Sequence, residues 1–233
     1  MSDRDFVHLK NLQRSYREGE QNHPVLQGLS LSIAAGETVA LLGRSGCGKS
    51  TLLNVISGID TVDGGAVNIG GIDLIGLSEH QRTLFRRRHI GFIYQFFNLI
   101  PTLTAAENIA LVLELNGFSS TEVQHKTQAM LTAVGLDQQQ RQFPDQLSGG
   151  QQQRVAIARA LVHAPSLILA DELTGNLDAQ TGAQIMALLR ELLDQTGATL
   201  LLVTHSLAVA NTADRIVTLE DGLLQEREGH FAW

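Results

Sequence analysis

Apolar positions fall into short runs in the first part of the chain and into a helical repeat near its end. Phe6–Leu9, Leu29–Ile33, Thr38–Leu42 and Ala66–Ile69 read as strands with turns between them. The middle is different: residues 104–117 and 121–134 contain no Pro, and Gly117 closes the first of these stretches. Ser119 with Glu122 has capping-box spacing, so a helix is predicted to start there. In the last third the two periods alternate. Leu167–Ala170 is a short apolar run, whereas Ile185, Leu188, Leu189 and Leu192 recur at i, i+3, i+4 and i+7, one face of a helix. Leu200–Val203 and Ile216–Leu219 follow as strands, and Asp221-Gly222 predicts a hairpin turn. Strands separated by helices imply a mostly parallel sheet covered on both faces. The helical middle interrupts that pattern and reads as a subdomain inserted into an α/β core.

Composition narrows the class. The 233 residues carry Lys+Arg 17 against Asp+Glu 24, a net charge of −7, with 43% hydrophobic and 18% charged residues. That is a globular composition, not a disordered one, and the acidic balance argues against a dedicated DNA-binding protein. Cys47 is the single cysteine, which excludes a disulfide framework and a cysteine-rich zinc module. No apolar run approaches the roughly 18 residues that cross a bilayer, and MSDRDFVHLK lacks the apolar core of a signal peptide. The expectation is a soluble, cytoplasmic protein.

Gly43-Arg44-Ser45-Gly46-Cys47-Gly48-Lys49-Ser50 fits G-x-x-x-x-G-K-[ST], between the strand Thr38–Leu42 and a helix pattern over Thr51–Ile56. Three glycines let backbone N–H groups converge on phosphate oxygens, and the helix amino terminus adds partial positive charge. Lys49 is expected to reach the β and γ phosphates and the Ser50 hydroxyl to bind Mg²⁺. Gly43 through Thr51 form the expected phosphate-contacting set.

The run Leu167–Ala170 ends in Asp171-Glu172. In a parallel sheet, ligands bind at the carboxyl ends of strands, the edge that also presents the phosphate loop. Asp171 is therefore placed to hold Mg²⁺, and Glu172 to polarise an attacking water. Leu200–Val203 ends similarly in Thr204-His205, where a His can hydrogen-bond the γ phosphate. A further segment, Leu147-Ser148-Gly149-Gly150-Gln151, opens a Pro-free helix pattern that runs to about His163. With Ser148 as cap, the N–H groups of Gly149, Gly150 and Gln151 are expected to face outward unpaired, a second anion site. One nucleotide in one chain need not use both sites, which points the second at a nucleotide held by another molecule.

Together the phosphate loop, Gln95, LSGGQ, Asp171-Glu172, Asp178 and His205 resemble, in that order, the ATP-binding cassette ATPases, and the likeness covers essentially the whole chain. The resemblance implies a P-loop NTPase (RecA-like) α/β core with an antiparallel β subdomain and an inserted α-helical subdomain. It implies one nucleotide-binding domain over 1–233, with the core at 1–95 and 164–233 and the helical subdomain at 96–163. It further implies that Tyr16 stacks on adenine, and that Gln95 contacts Mg²⁺ or the attacking water and couples to a membrane subunit. Ser148 and Gly150 are implied to contact the γ phosphate across a head-to-tail dimer, and Asp178 to lie in the loop joining its two sites. The stretch IGFIYQFFNL from Ile90, then Pro101-Thr102-Leu103-Thr104, Glu107-Asn108 and Thr174-Gly175-Asn176-Leu177-Asp178, is similar to the group containing LolD, MacB and FtsE. Leu173 stands where that group usually has Pro.

On this resemblance the chain is the ATPase subunit that powers a separate integral membrane permease from the cytoplasmic face of the inner membrane. Export, lipoprotein or lipid extraction and transmission of force are the tasks implied. A scaffold that signals to a partner without moving a substrate is the alternative. A DNA-repair cassette would need a long coiled coil between Lys49 and Leu147, and a ribosomal one two cassettes, so no nucleic-acid partner is expected. Arg82, Arg86, Arg87 and Arg88 form one basic cluster, read either as a face toward anionic headgroups or a membrane subunit, or as a solvated helix face held by salt bridges.

Overall fold

A computed structural model describes residues 5–19 and 21–226; Met1 to Arg4 of the amino terminus read above lie outside them. The chain divides into two compact units, one built from residues up to Arg86 and from Thr199 onward, the other from Arg87–Ala198.

In the first unit, β1 (Asp5–Glu18) and β2 (Gln21–Ala34) form a long antiparallel hairpin that is extended by β4 (Gly64–Ile69) and β5 (Ile72–Asp73) in the order β2-β1-β4-β5. The expected strands Phe6–Leu9 and Leu29–Ile33 are only parts of this hairpin, because bulges break the period of two. Buried positions run Val7, Leu9, then Leu12, with Asn11 in the left-handed region at φ 49°. On β2 they run Leu26, then Leu29, Leu31 and Ile33, with Gly28 at φ 93°. The second sheet of this unit centres on β3 (Thr38–Leu42), buried along its whole length between β8 (Thr199–Val203) and β9 (Arg215–Glu220), both parallel to it. β10 (Leu223–Glu226) folds back on β9 through Asp221-Gly222, both at positive φ, as the hairpin reading requires. Helix α1 (Lys49–Ile56) follows β3.

Helix α2 (Glu79–His89) shows no apolar repeat, since Phe85 alone is buried. Arg82 and Arg86 pair with Glu79 at 2.8 and 3.9 Å, and Arg86 Nη1 also donates to the carbonyls of Ser57 and Gly58 at 3.3 and 2.9 Å. Half of the basic cluster thus holds the fold, while Arg88 stays exposed.

In the second unit, β6 (Ile90–Ile93) pairs in parallel with β7 (Leu167–Asp171). Between them come α3 (Ala105–Leu115), α4 (Ser120–Ala133) and α5 (Gly149–Leu161); α6 (Ala179–Thr196) follows β7. Thr104 and Ser119 both close capping boxes, with Glu107 and Glu122. Asn108 is fully buried; its Oδ1 accepts from the Ile100 N–H, and its Nδ2 donates to the carbonyls of Ile100, Leu103 and Thr104. The Glu107-Asn108 pair therefore shapes the entry to α3. The predicted face of α6 is buried at Ile185, Leu189 and Leu192, with Leu188 half-buried and Leu193 added. A short helix, α7 (Leu207–Ala210), belongs to the first unit. Among the described residues, no helix is long and apolar enough to cross a membrane.

Candidate functional site

The first unit carries the phosphate loop. Leu41 is in register with Val203, so Gly43 and Thr204-His205 leave adjacent parallel strands at one edge, and the Thr204 N–H donates to Leu41 O at 3.2 Å. Gly48 takes φ 103° as the cap of α1, where a Cβ would also lie 2.8 Å from Val25 Cγ1. A side chain there would meet both backbone strain and a neighbour. No side chain caps α1, which leaves its first N–H groups for an anion. Lys49, only 9% exposed, spans the loop by donating Nζ to the carbonyls of Gly43 and Arg44, both at 2.8 Å. Cys47 Sγ lies 3.9 Å from that same nitrogen. Arg44, Ser45, Gly46 and Ser50 are exposed, as is His205. Tyr16 sits on β1, 39% exposed, and is joined to Asp60 rather than to the loop.

The second unit brings together Gln95, Asp171 and Glu172, the residues expected to serve hydrolysis. Ile93 is in register with Ala170, so Gln95 and Asp171-Glu172 emerge at the same edge of the β6–β7 pair. Gln95 Nε2 donates to Glu172 Oε2 at 2.9 Å, and Asn176 Nδ2 donates to the Gln95 carbonyl at 2.7 Å. Glu172 itself is held at φ 46°, a conformation that costs a non-Gly residue about 1–3 kcal/mol. The Gly175 N–H closes the turn onto the Glu172 carbonyl at 2.9 Å. With its amide nitrogen engaged, Gln95 presents Oε1 as an acceptor, and Asp171 contributes carboxylate oxygen at the same edge. Oxygen donors of this kind suit Mg²⁺.

LSGGQ forms as expected in outline and differs in one detail. Ser148 caps α5, but it does so in a capping box: its Oγ accepts from the Gln151 N–H at 3.3 Å, and Gln151 Oε1 accepts from the Ser148 N–H at 2.9 Å. The Gln151 N–H is therefore engaged in the cap, which leaves the N–H groups of Gly149 and Gly150 and the Ser148 hydroxyl as the candidate donors at this helix start. A Cβ on Gly150 would lie 2.9 Å from Thr181 Cγ2, so that glycine also permits close packing on α6. Asp178 caps α6, its two oxygens accepting from the Thr181 N–H at 3.0 Å and hydroxyl at 2.6 Å. Those bonds, the hydroxyl's first, hold its carboxyl below the ordinary range.

Two residues of this unit escaped the sequence reading. Asn176 lies inside the quoted TGNLD stretch, and only the pairing of β6 with β7 reveals that it holds the backbone of Gln95. Arg159 on α5 donates to the carbonyls of Phe97 and Asn98 at 2.8 and 2.6 Å. Both of those residues have positive φ, so the arginine fixes the strained loop just after Gln95.

Residues 26–175 match the ABC transporter family. The chain is 45% identical to the lipoprotein-releasing system ATP-binding protein LolD of Pseudomonas syringae pv. tomato, over 97% of this chain and 100% of that protein. It is 43% identical to the macrolide export ATP-binding/permease protein MacB of Syntrophobacter fumaroxidans, over 97% of this chain and 32% of that one. Its fold matches the dimeric, post-hydrolysis ATP-binding cassette MJ0796 bound to ADP and Pi with TM-score 0.88 and 42% identity, covering 97% of this chain and 100% of that structure. The α/β P-loop fold, the phosphate loop with its uncapped helix, the paired Gln95 and Glu172, and these likenesses agree: the chain belongs to the ABC transporter family, as one of its ATP-binding ATPase subunits.

Proposed function

We propose that two copies of this chain pair head to tail around two Mg-ATP molecules and drive a separate integral membrane permease from the cytoplasmic face of the inner membrane. The phosphate loop, Gly43 through Thr51, holds the phosphates, and Tyr16 takes the adenine. Ser148, Gly149 and Gly150 of the other copy close on the γ phosphate, Gln151 supports them through the capping box, and Asp178 lies at the junction. Ser50, Gln95 and Asp171 hold Mg²⁺, which offsets phosphate charge when bound. Glu172 orients and polarises the attacking water, and His205 bonds the γ phosphate. Residues 1–95 and 164–233 act as the core and 96–163 as the helical subdomain. The dimeric state of MJ0796 supports the pairing. The names of LolD, of a lipoprotein-releasing system, and of MacB, for macrolide export, support lipoprotein release or export as the task. No nucleic-acid partner enters this reading.

One observation carries the membrane coupling. Glu172 shares a 2.9 Å hydrogen bond with Gln95, and the next residue, Phe96, is 71% exposed. The hydrolytic carboxylate is thus bonded to the residue beside an exposed aromatic side chain, which supports this segment as the place where a partner docks. The tagged protein, captured from mildly solubilised membranes, is expected to bring an integral protein with it, and Phe96→Asp to release that protein while leaving ATP binding intact. Recovery with ribosomes or DNA instead would overturn the proposal.

Cys47 provides a second check without mutagenesis. The thiol lies inside the loop, partly exposed and 3.9 Å from Lys49 Nζ. A maleimide adduct there collides with bound phosphate, so labelling is expected to abolish hydrolysis and saturating Mg-ATP to slow labelling in proportion to occupancy. Intact-mass kinetics read this cleanly because the chain has one cysteine. Equal labelling rates with and without nucleotide would remove Cys47 from the pocket.

A further inference from the structure

Tyr16 is clamped on two sides. Its hydroxyl donates to Asp60 Oδ2 at 2.6 Å. The same carboxylate receives a bidentate pair from Arg14, Nε to Oδ2 at 3.2 Å and Nη2 to Oδ1 at 2.7 Å. The Arg14 guanidinium carbon stands 4.8 Å from the centroid of the Tyr16 ring, over one face. Its Nη1 continues to Asp63 Oδ1 at 3.1 Å, and Asp63 Oδ2 accepts from the Ser15 N–H at 2.6 Å. The side chains of Arg14 and Asp60 are only 18% and 20% exposed, so this is a mostly sheltered, bidentate pair rather than a loose surface contact. One face is thus covered by the guanidinium and the hydroxyl edge is tethered, while Tyr16 keeps 39% of its surface exposed.

The tether has a second end. Asp60 lies four residues past the end of α1, and the N–H groups of Ile59 and Asp60 both donate to the Asn54 carbonyl within that helix, at 2.9 and 3.1 Å. Helix α1 begins at Lys49. At its start, Gly48 closes on Val25, two residues along β2 from His23, which is the register partner of Tyr16. Asp60 therefore ties the ring to the carboxyl end of the helix that the phosphate loop opens, while β2, which pairs with β1 at Tyr16, passes close to Gly48 at the start of that helix.

We infer that Asp60, with Arg14 and Asp63, positions the nucleotide base: these residues hold the Tyr16 ring at a set distance and tilt from the phosphate loop, with its free face ready to stack. The inference rests on the reading of Tyr16 as the base platform. A ring already ordered before binding loses less rotamer freedom on binding, which favours affinity by roughly three- to tenfold. Arg14 contributes in a second way, since a cation over one face stiffens the ring's orientation without occupying the other. The three are positioning residues; none is placed against the reacting phosphates.

The test compares ATP with inorganic tripolyphosphate, both with Mg²⁺, on the full chain by calorimetric titration, together with steady-state hydrolysis. Asp60→Ala is expected to weaken ATP by roughly three- to tenfold and to raise KM with kcat unchanged, while tripolyphosphate binds as before. Tyr16→Phe removes only the exposed hydroxyl, keeps the fold safe and is expected to show the same selective loss in smaller measure. The double variant should be no worse than Asp60→Ala, because both act through one ring. Equal weakening of both ligands in Asp60→Ala, or an unchanged ATP affinity in Tyr16→Phe, would overturn the positioning role. Tyr16→Ala separates the two ideas. If it leaves ATP affinity untouched, the platform reading itself fails; if it weakens ATP while the tether variants do not, only the present inference does.

Discussion

Glu172→Gln is expected to retain ATP binding while hydrolysis falls by about 10²–10⁴, the usual loss on removing one proton-transferring group. The structure makes this a clean substitution. Glu172 Oε2 accepts from Gln95 Nε2 at 2.9 Å, and the oxygen of a glutamine amide can accept in the same place. The residue sits at φ 46°, where Glu and Gln bear the same backbone strain. What changes is the charge, and with it the ability to draw a proton from water. Glu172→Ala is a poorer choice, because it would also free Gln95 and confound catalysis with loop geometry. Stalled ATP should hold two chains together, so size-exclusion chromatography of Glu172→Gln is expected to show a dimer with Mg-ATP and a smaller species with Mg-ADP. Wild-type turnover in the variant would move the general base elsewhere; slow turnover without a dimer would separate the chemistry from the pairing.

The parts of this site that the sequence made legible are those decided within a few residues. The phosphate loop needs two glycines at positive φ and a helix start, all inside Gly43–Ser50. The caps at Ser119 and Ser148 depend on side chains that reach three residues ahead. Contacts across long separations were not legible. Gln95 and Glu172 are 77 residues apart and meet only because Ile93 and Ala170 share a register. The strand that achieves this, β6, is four residues long and contains Gly91, so it carries too little alternation to be read as a strand. Gly91 is there for packing: a Cβ would lie 2.2 Å from the Ala160 carbonyl on α5. Helix α2 was legible only as a charged face, because with Phe85 alone buried it has no apolar repeat to set its bounds. The β1–β2 hairpin was cut short at its bulges, because an inserted residue shifts the apolar phase without ending the strand.

Lys49→Ala and Ser148→Arg are expected to fail in different ways, and the difference tests whether each catalytic site spans two chains. Lys49 is buried at 9% exposure, with its ammonium bonded to two loop carbonyls. Removing it takes away the fixed positive charge of the phosphate loop. Losing one charged hydrogen bond costs about 1.5–3 kcal/mol, or roughly a 10- to 150-fold rise in Kd for ATP, and turnover should vanish. Ser148 is exposed and caps α5. Arg in its place costs about 1 kcal/mol of helix capping and adds bulk where another chain's γ phosphate is proposed to lie. ATP affinity of the same chain should stay within about twofold of wild type while hydrolysis stops, and Ser148→Ala reports the cap loss without the bulk. Mixing the two inactive variants then gives the sharpest reading. In a head-to-tail pair, one site would combine both lesions and the other would combine the intact Ser148 of the first chain with the intact Lys49 of the second. Random pairing should restore roughly a quarter of the wild-type sites, measured as phosphate release against total protein. Binding lost equally in both variants, or no recovery on mixing when both chains remain folded and the Ser148→Arg chain still binds ATP, would contradict a site shared between chains.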